Sequence, residues 1–388
     1  MSSIKFSANN QIQLLVNGAD FFPALLSAIH AAEHEIFLET YIFEADETGQ
    51  LIKAALMQAA SRGVVVKVIV DWIGTGHEQS AQLQSELLGA GVQCRIFNPW
   101  FKRGIARTHR KIVVLDWKLA FLGGLNIVDD LHADDDSHAL LPAPRWDIAA
   151  RIAGPLVTQI HQEAASHWLR LGSLLLHQRW ELLRYRRPPV VNDLSGPTLA
   201  GLVVRDNLRN RRTIQRAYLQ ALGQARSQAI LANPYFAPGR KLRDALSRVA
   251  ERGVEVILLL GVGQFRLQDA VAQSYYPKLL AHGVKIVEYR KTQLHGKVAV
   301  VDGMWATLGS SNYDGLSLFV NQEANIVVRD AAFSGALRDE ILRAIADGVV
   351  VNAQDYVHIV WYKRLWYYTA YLIYKNILRL ISWGKYTE

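Results

Sequence analysis

The stretch THRKIVVLDWKLAFLGGLN at residues 108–126 recurs as LHGKVAVVDGMWATLGSSN at residues 294–312. Identical residues recur at one offset of 186 positions, and they pair His109 with His295, Lys111 with Lys297, Asp116 with Asp302, Gly123 with Gly309 and Asn126 with Asn312. Agreement at a single offset indicates an internal repeat, which has to be recognised before the fold is interpreted. We therefore predict that the chain contains two copies of one structural unit.

The repeat extends to the sequence before each motif. Residues 36–71 read as an apolar strand, a helix and a β-branched strand, and residues 229–261 repeat this order. Each copy continues through a helix that stops at a glycine and leads into another strand. Strands that alternate with helices indicate an α/β fold. We predict two similar α/β sandwich halves related by a pseudo-twofold axis, with an active site at their interface.

The predicted division of the chain follows from this repeat. A basic, aromatic segment at about 165–187 is followed by Pro188, and this composition is typical of a helix that runs into a linker. We predict a first half at 1–187, a second half at 188–355 and a basic, aromatic, amphipathic tail at 356–388.

The overall composition limits the class of protein. Half of the residues are hydrophobic and 20% are charged, which is typical of a globular chain. The formal net charge of +8 favours an anionic partner such as phospholipid headgroups or nucleic acid. The single cysteine, Cys94, excludes an internal disulfide and reads as a small buried residue. We find neither a secretory signal nor an apolar stretch long enough to cross a bilayer, so any membrane contact should be peripheral.

The repeated motif carries residues suited to phosphoryl transfer. The histidine and lysine of each copy are two positions apart on an extended segment, so they should project from one face. A histidine can attack phosphorus or transfer a proton, and a lysine ammonium group offers positive charge to phosphate oxygens. Asp116 and Asp302 complete the motif but fall on the opposite face, so we assign them an orienting or structural role.

If the halves face each other, the two histidine–lysine pairs meet at one phosphate. One histidine then serves as nucleophile and the other as general acid, and neither a metal nor another cofactor is required. Small polar residues after each motif, Asn126, Ser310 and Asn312, are expected to bind the phosphate.

HRKIVVLD at 109–116 and HGKVAVVD at 295–302 resemble the duplicated H-x-K-x4-D signature of the phospholipase D superfamily. Over roughly residues 10–345 the chain is similar to the bacterial cardiolipin synthases of the short B type. The resemblance implies that a phosphatidyl group passes from phosphatidylglycerol, through a covalent phosphatidyl-histidine, to a second phosphatidylglycerol. It also implies an acidic residue at the second nitrogen of each histidine, for which Asp147 and Glu323 are the candidates. We expect His109 to be the nucleophile and the protein to act peripherally at the cytoplasmic face of the bacterial inner membrane.

Two other functions stay open at this point. The same site could hydrolyse a phospholipid or a nucleic acid, although the resemblance to lipid enzymes disfavours nucleic acid. A non-catalytic binding protein with vestigial motifs is also disfavoured, because both copies keep the His, Lys, Asp and Asn. The sequence leaves the oligomeric state undetermined.

Each of three further features of the sequence allows two interpretations. The acidic stretch around 129–136, flanked by His132 and His138, could bind a hard cation, but a solvated loop is favoured. Glu39 could reach the site or be a paired, buried carboxylate. The basic and apolar faces of 361–386 are typical of an interfacial helix, as is the segment at 168–187, yet either could instead pack on protein.

Overall fold

The computed structural model describes residues 4–133, 139–172, 196–206, 210–315, 317, 320–357 and 359–381. The division near Pro188 and all but the first residues of the basic segment at 168–187 lie outside the described residues. The predicted domain bounds therefore stay predictions.

Strands and helices alternate along both copies of the repeat, as the sequence pattern indicates. The described strands are β1 Phe6–Val16, β2 Glu35–Thr40, β3 Val65–Asp71, β4 Gln93–Phe97, β5 Lys102–Ile105, β6 Ile112–Leu115, β7 Leu119–Gly123, β8 Ile148–Ala153, β9 Thr198–Arg205, β10 Gln228–Asn233, β11 Glu255–Gly261, β12 Lys285–Tyr289, β13 Val298–Val301, β14 Trp305–Gly309, β15 Glu323–Arg329 and β16 Val349–Val350. The described α-helices are α1 Asn17–Ala31, α2 Glu47–Ser61, α3 His77–Gly89, α4 Pro155–Leu171, α5 Thr213–Gln224, α6 Arg240–Glu251, α7 Arg266–Ala281, α8 Ala331–Ala346, α9 Ala353–Val357 and α10 Trp361–Ile381.

The two halves have the same strand order, except that the second half adds β16 at its far edge. It is β1-β8-β7-β6-β2-β3-β4 in the first half and β9-β15-β14-β13-β10-β11-β12-β16 in the second. The prediction of two similar α/β halves is thus confirmed. The antiparallel pairing of β1 with β9, in which Phe6 lies opposite Gly201, joins both into one sheet of 15 described strands. The sequence did not predict this connection, because β1 and β9 lie outside the repeated stretches of sequence.

The described apolar core consists of one layer within each half and a central layer that both halves share. Leu25 and Ile52 bring α1 and α2 onto the outer face of the first sheet, and Leu222 and Leu246 do the same for α5 and α6 on the second. A central core takes residues from both halves and from α4 and α8, including Ile160. Burial of apolar surface is the main favourable term in folding, so this shared core fixes the position of one half on the other.

The strand directions place the repeated motifs at one edge of each half. Glu39, near the end of β2, lies opposite Ile112 at the start of β6, and Ala232 lies opposite Val298 in the second half. The residues before β6 and β13 therefore lie beside the carboxyl ends of β2–β4 and β10–β12. We call this the site edge.

The C-terminal helix α10 packs on its own half with one face only. Ala370 and Leu378 are buried, and the Tyr374 hydroxyl accepts a hydrogen bond from the backbone N–H of Gly315 at 2.7 Å. The other face exposes large apolar residues, among them Trp366 and Leu380. No helix within the described ranges is both long and apolar enough to cross a membrane.

Candidate active site

His109 and His295 lie at the site edge, where the two halves meet. The backbone N–H of His109 donates to the carbonyl of Gln322 at 2.9 Å, and that of His295 donates to the carbonyl of Trp146 at 2.8 Å. Each motif is therefore hydrogen-bonded to the opposite half. Both residues are buried, with exposed fractions of 8% and 4%. The central apolar core thus holds both imidazoles at the interface between the halves.

A carboxylate from the opposite half holds each imidazole. His109 Nδ1 lies 3.1 Å from Glu323 Oε2, at the start of β15, and 3.0 Å from the carbonyl of Ser310. His295 Nδ1 lies 2.6 Å from Asp147 Oδ2, just before β8. Because a carboxylate and a carbonyl only accept hydrogen bonds, Nδ1 must be the protonated nitrogen of His109. This tautomer leaves Nε2 with a lone pair for reaction.

Burial sets the charge of His109. It lowers the pKa of His109 to about 4, Lys111 adds to the shift, and Glu323 opposes it. Burial alone would raise the pKa of Asp147, but His295 and Lys297 bring it below its ordinary value. At neutral pH His109 is consequently an uncharged imidazole beside an ionised carboxylate.

The two lysines of the motifs place positive charge beside the histidines. Lys111 Nζ donates to the carbonyl of His109 at 2.8 Å, and Lys297 Nζ donates to the carbonyl of His295. Burial lowers the pKa of Lys111 to about 7, and the charge of Lys297 contributes further. An anion placed between the two ammonium groups would relieve this repulsion. The pair is therefore suited to bind a phosphate.

Two asparagines present buried polar atoms that the protein leaves unsatisfied. Asn126 Oδ1 accepts from the N–H of Ile42 at 3.3 Å, but its Nδ2 is buried without a hydrogen-bond partner among the described residues. Asn312 Oδ1 is also buried without a hydrogen-bond partner among the described residues. Because a buried polar atom without a partner is unfavourable, such atoms fit a site that a ligand completes.

Comparison with known proteins agrees with this geometry. The family described as "Cardiolipin synthase, PLD-like domain" matches residues 25–153 and 218–345, one stretch in each half. The chain belongs to this family. Cardiolipin synthase B of Salmonella typhi is 39% identical over 350 residues, which cover 88% of this chain and 81% of that protein. The Escherichia coli K12 cardiolipin synthase B is 38% identical over 365 residues, or 92% and 85% of the two chains.

Among solved structures, phosphatidylserine synthase of Haemophilus influenzae Rd KW20 shares the fold. Its TM-score is 0.68 at 14% identity, and the match covers 98% of this chain and 97% of that one. The resemblance drawn from the H-x-K-x4-D motifs is thereby confirmed, together with the prediction that the protein is an enzyme of phospholipid biosynthesis.

The Ser310 hydroxyl contacts other protein groups. It donates to Glu323 at 2.5 Å and accepts from the N–H of Ala324 at 3.0 Å. The phosphate-binding role of Ser310 stays a prediction, and the sequence of a loop does not reveal which way the hydroxyl of a small polar residue points. Ser310 holds Glu323 against His109.

Asp116 and Asp302 lie at the opposite edge of their sheets from the histidines. Asp116 accepts from the backbone N–H groups of residues 33–35, and Asp302 accepts from those of residues 226–228. Each occupies a turn with φ near +50°. The motif aspartates thus make backbone contacts at a distance from the histidines, and these contacts agree with the orienting or structural role that the opposite-face argument assigns to them.

A charged cluster behind His109 was missed by sequence reasoning. Glu39 Oε1 lies 2.9 Å from His167 Nδ1 and also accepts from the Thr108 hydroxyl. Burial opposes ionisation, but His167 lowers the pKa of Glu39 to about 2. Arg110 is fully buried, with Nη1 3.0 Å from Glu163. Glu39 is thus the paired, buried carboxylate, and the cluster fixes the chain on either side of His109.

The described part of the second copy has no equivalent of this cluster. Gly296 stands where the first copy has Arg110, and a side chain there would collide with Trp146. Tyr41 is a second difference, since its ring packs edge-on to His109 at 4.9 Å and lies 5.3 Å from Lys111 Nζ. The signal available in the sequence was the position of Tyr41, directly after β2 at the site edge.

The acidic stretch forms turns where it is described. Asp129 lies 2.8 Å from His132 Nδ1, and Asp130 accepts from the N–H of Gly18 at 2.7 Å. Asp134, Asp135, Asp136 and His138 lie outside the described residues. Within the described ranges, no group of three acidic, histidine or cysteine side chains could hold a metal ion.

Proposed function

We propose that this protein is a phosphatidyltransferase that makes cardiolipin from two molecules of phosphatidylglycerol. The proposal rests on one observation: two buried imidazoles, each held by a carboxylate from the other half, lie beside two lysines. Such a site can form and break one phosphodiester bond without a metal. The names of the cardiolipin synthase B relatives support this choice of lipid product.

In the first step His109 Nε2 attacks phosphorus of the donor lipid. A P–N bond forms and the P–O bond to the headgroup glycerol breaks, while His295 gives its proton to the departing glycerol oxygen. In the second step His295 takes a proton from a headgroup hydroxyl of the acceptor lipid. That oxygen attacks phosphorus, the P–N bond breaks, and His109 returns to its first state.

The environments of the two histidines support this division of roles. A nucleophile must be uncharged, and burial keeps His109 in that form down to about pH 4. A general acid must carry a proton, and the 2.6 Å contact with Asp147 stabilises positive charge on His295. Glu323, at 3.1 Å, stabilises the charge that develops on His109 only after it has attacked.

The remaining groups stabilise the phosphorane-like transition state. Lys111 and Lys297 neutralise charge on the non-bridging phosphate oxygens, and Asn126 and Asn312 supply further polar contacts. Because all four are positioned before substrate arrives, little reorganisation is needed during the reaction.

A lipid substrate supports a peripheral position at the cytoplasmic face of the inner membrane. The exposed face of α10 carries Trp361, Trp366 and Leu380, with Lys363 and Arg364 also exposed on the same helix. Apolar and basic residues together favour contact with an anionic bilayer surface. We assign α10 this role.

The proposal is tested by incubating the purified protein with vesicles that contain radiolabelled phosphatidylglycerol. Cardiolipin and free glycerol are the expected products. His109→Ala and His295→Ala should each abolish them, while Glu255→Gln, which alters a carboxylate at the start of β11 and thus at the opposite edge of the sheet, should not. Phosphatidic acid without cardiolipin would indicate hydrolysis, and cleavage of added DNA without any lipid product would reject the proposal. The reaction is quenched with base so that the intermediate is not exposed to acid. Mass spectrometry of the quenched enzyme should then locate the phosphatidyl group on His109.

A further inference from the structure

The first copy of the repeat carries extra residues immediately before its catalytic histidine. Twelve positions separate Phe97, the end of β4, from His109, whereas six separate Tyr289, the end of β12, from His295. The second copy therefore reaches its histidine without these residues, so the shared chemistry does not require them. They lie within 98–107, which we call the aromatic loop.

The aromatic loop has an unfavourable backbone. Asn98, Trp100 and Phe101 have φ values of 55°, 56° and 52°, in the left-handed region that bulky residues rarely occupy. Asn98 Nδ2 holds the conformation by donating to the carbonyls of Gly104 and Ala106 at 2.7 and 2.8 Å. Backbone strain of this kind is concentrated at functional sites.

The strained backbone presents two aromatic rings to solvent. Trp100 is 75% exposed and Phe101 is 51% exposed, and Ile105 in the same loop is 40% exposed. Lys102 beside them is also exposed. An aromatic pair left in water forgoes the stabilisation that burial would give. The combination of exposed aromatic, aliphatic and basic side chains matches the chemistry of a bilayer interface.

The loop is connected to the catalytic histidine through few contacts. Its ring centroids lie 5.2 Å (Trp100) and 5.4 Å (Phe101) from that of Trp72, which directly follows β3. At its other end Arg107 Nη1 donates to the Tyr41 hydroxyl at 2.9 Å, and the Tyr41 ring packs on His109. The exposed rings and the reactive nitrogen therefore belong to one edge of the molecule.

We infer that the aromatic loop inserts Trp100 and Phe101 into the headgroup region of an anionic phospholipid bilayer and so holds the mouth of the active site against the lipid surface. The inference rests on the proposed function, since a phosphatidyl substrate keeps its acyl chains in the bilayer while its phosphate reaches His109. Lys102 and the net charge of +8 attract the anionic headgroups. The loop thus acts at the site itself, in addition to α10.

Insertion is tested with a fluorophore at the tip of the loop. The single native cysteine, Cys94, is buried, so Trp100→Cys can be labelled selectively with an environment-sensitive NBD group. The control is Met304→Cys, since Met304 is 56% exposed in the turn after Asp302, at the opposite edge. Vesicles of phosphatidylglycerol should shift the emission to the blue at position 100 and leave position 304 unchanged. No shift at 100, or an equal shift at both positions, would overturn the inference.

A second experiment separates insertion from chemistry. Trp100→Ala combined with Phe101→Ala should weaken vesicle binding by about tenfold or more, since two interfacial rings are lost. Turnover of phosphatidylglycerol in vesicles should fall in parallel, and turnover of a short-chain, monomeric analogue should fall much less. Leu88→Ala combined with Met304→Ala removes two exposed apolar side chains far from the site edge and is the matched control.

The outcomes distinguish the inference from the function on which it rests. Equal losses on vesicles and on the monomeric analogue would assign the loop to the chemistry and reject insertion. If the wild-type protein makes no cardiolipin but the fluorophore at position 100 still enters the bilayer, the proposed function fails and the docking surface stands.

Discussion

Replacing Glu323 with glutamine tests whether the carboxylate of one half serves the histidine of the other. Glu323 Oε2 lies 3.1 Å from His109 Nδ1, and Ser310 donates to the same oxygen. The amide keeps the size of the side chain but removes its charge. The Ser310 carbonyl, at 3.0 Å from Nδ1, still holds the imidazole in the reactive tautomer. The substitution therefore removes charge stabilisation while largely preserving orientation.

The expected size of the effect follows from this geometry. When His109 becomes a phosphatidyl-imidazolium, a unit charge forms about 4 Å from the carboxylate, an interaction of about 4 kcal/mol at an effective dielectric constant of about 20. The amide dipole recovers part of this energy. Since about 1.4 kcal/mol corresponds to a factor of ten in rate, we expect kcat to fall by about 10²- to 10³-fold.

The assay is the rate of cardiolipin formation from labelled phosphatidylglycerol under saturating conditions, with a rapid-quench measurement of the phosphatidyl-enzyme. Glu323→Gln should slow formation of the intermediate. Glu288→Gln, which alters another buried carboxylate of the second half, should retain nearly full activity. A Glu323→Gln enzyme with an unchanged rate of intermediate formation would refute the crossed arrangement as a source of catalysis.

Four further predictions follow from the same contacts. The folded-state pKa is about 4 for His109 and about 7 for Lys111, so kcat/KM should stay constant down to about pH 4 and decline above about pH 7. Lys111→Arg should move the alkaline decline to higher pH. A profile governed by a group that titrates near pH 6.5 would contradict this prediction. Because the pKa of His109 is lowered from 6.5, folding stability should be lost as pH falls from about 6.5 to 4, and a chemical-denaturation series with His109→Gln as reference should show the difference. Asp302→Ala should lower the free energy of unfolding by about 1–3 kcal/mol and leave the activity of the folded enzyme intact. A loss of activity without any change in melting temperature would argue against a structural role. Deletion of 361–388 should weaken sedimentation with anionic vesicles more than it impairs cleavage of a soluble short-chain substrate, and undiminished sedimentation would remove α10 as an anchor.

The repeat made the larger features of the molecule predictable. Identical residues at one offset imply two units with one fold, and equivalent motifs in such units occupy equivalent positions. His109 and His295 therefore had to lie at corresponding edges of the two sheets. The two-position spacing of histidine and lysine on an extended segment was sufficient to place Lys111 and Lys297 beside them.

The features that depend on contacts between the halves could not be read from the sequence. Asp147 and Glu323 were recognised as candidates, but their exchange across the interface is a property of the shared core and of the hydrogen bonds at Trp146 and Gln322. Contacts within one half were hidden as well, for example the contact of the Ser310 hydroxyl with Glu323 on the next strand. Within the first half, the cluster around Glu39 was hidden because His167 lies on α4, far along the chain.

The exchange of carboxylates has a consequence for the integrity of the protein. A fragment that contains a single half possesses an imidazole but lacks the acid that orients it, so neither half is a smaller version of the enzyme. Turnover should be absent from either fragment alone and should return when the two unaltered fragments are mixed, because each imidazole then receives its acid from the other fragment. Each copy of the repeat therefore depends on the other, because each supplies the carboxylate that holds the other's imidazole.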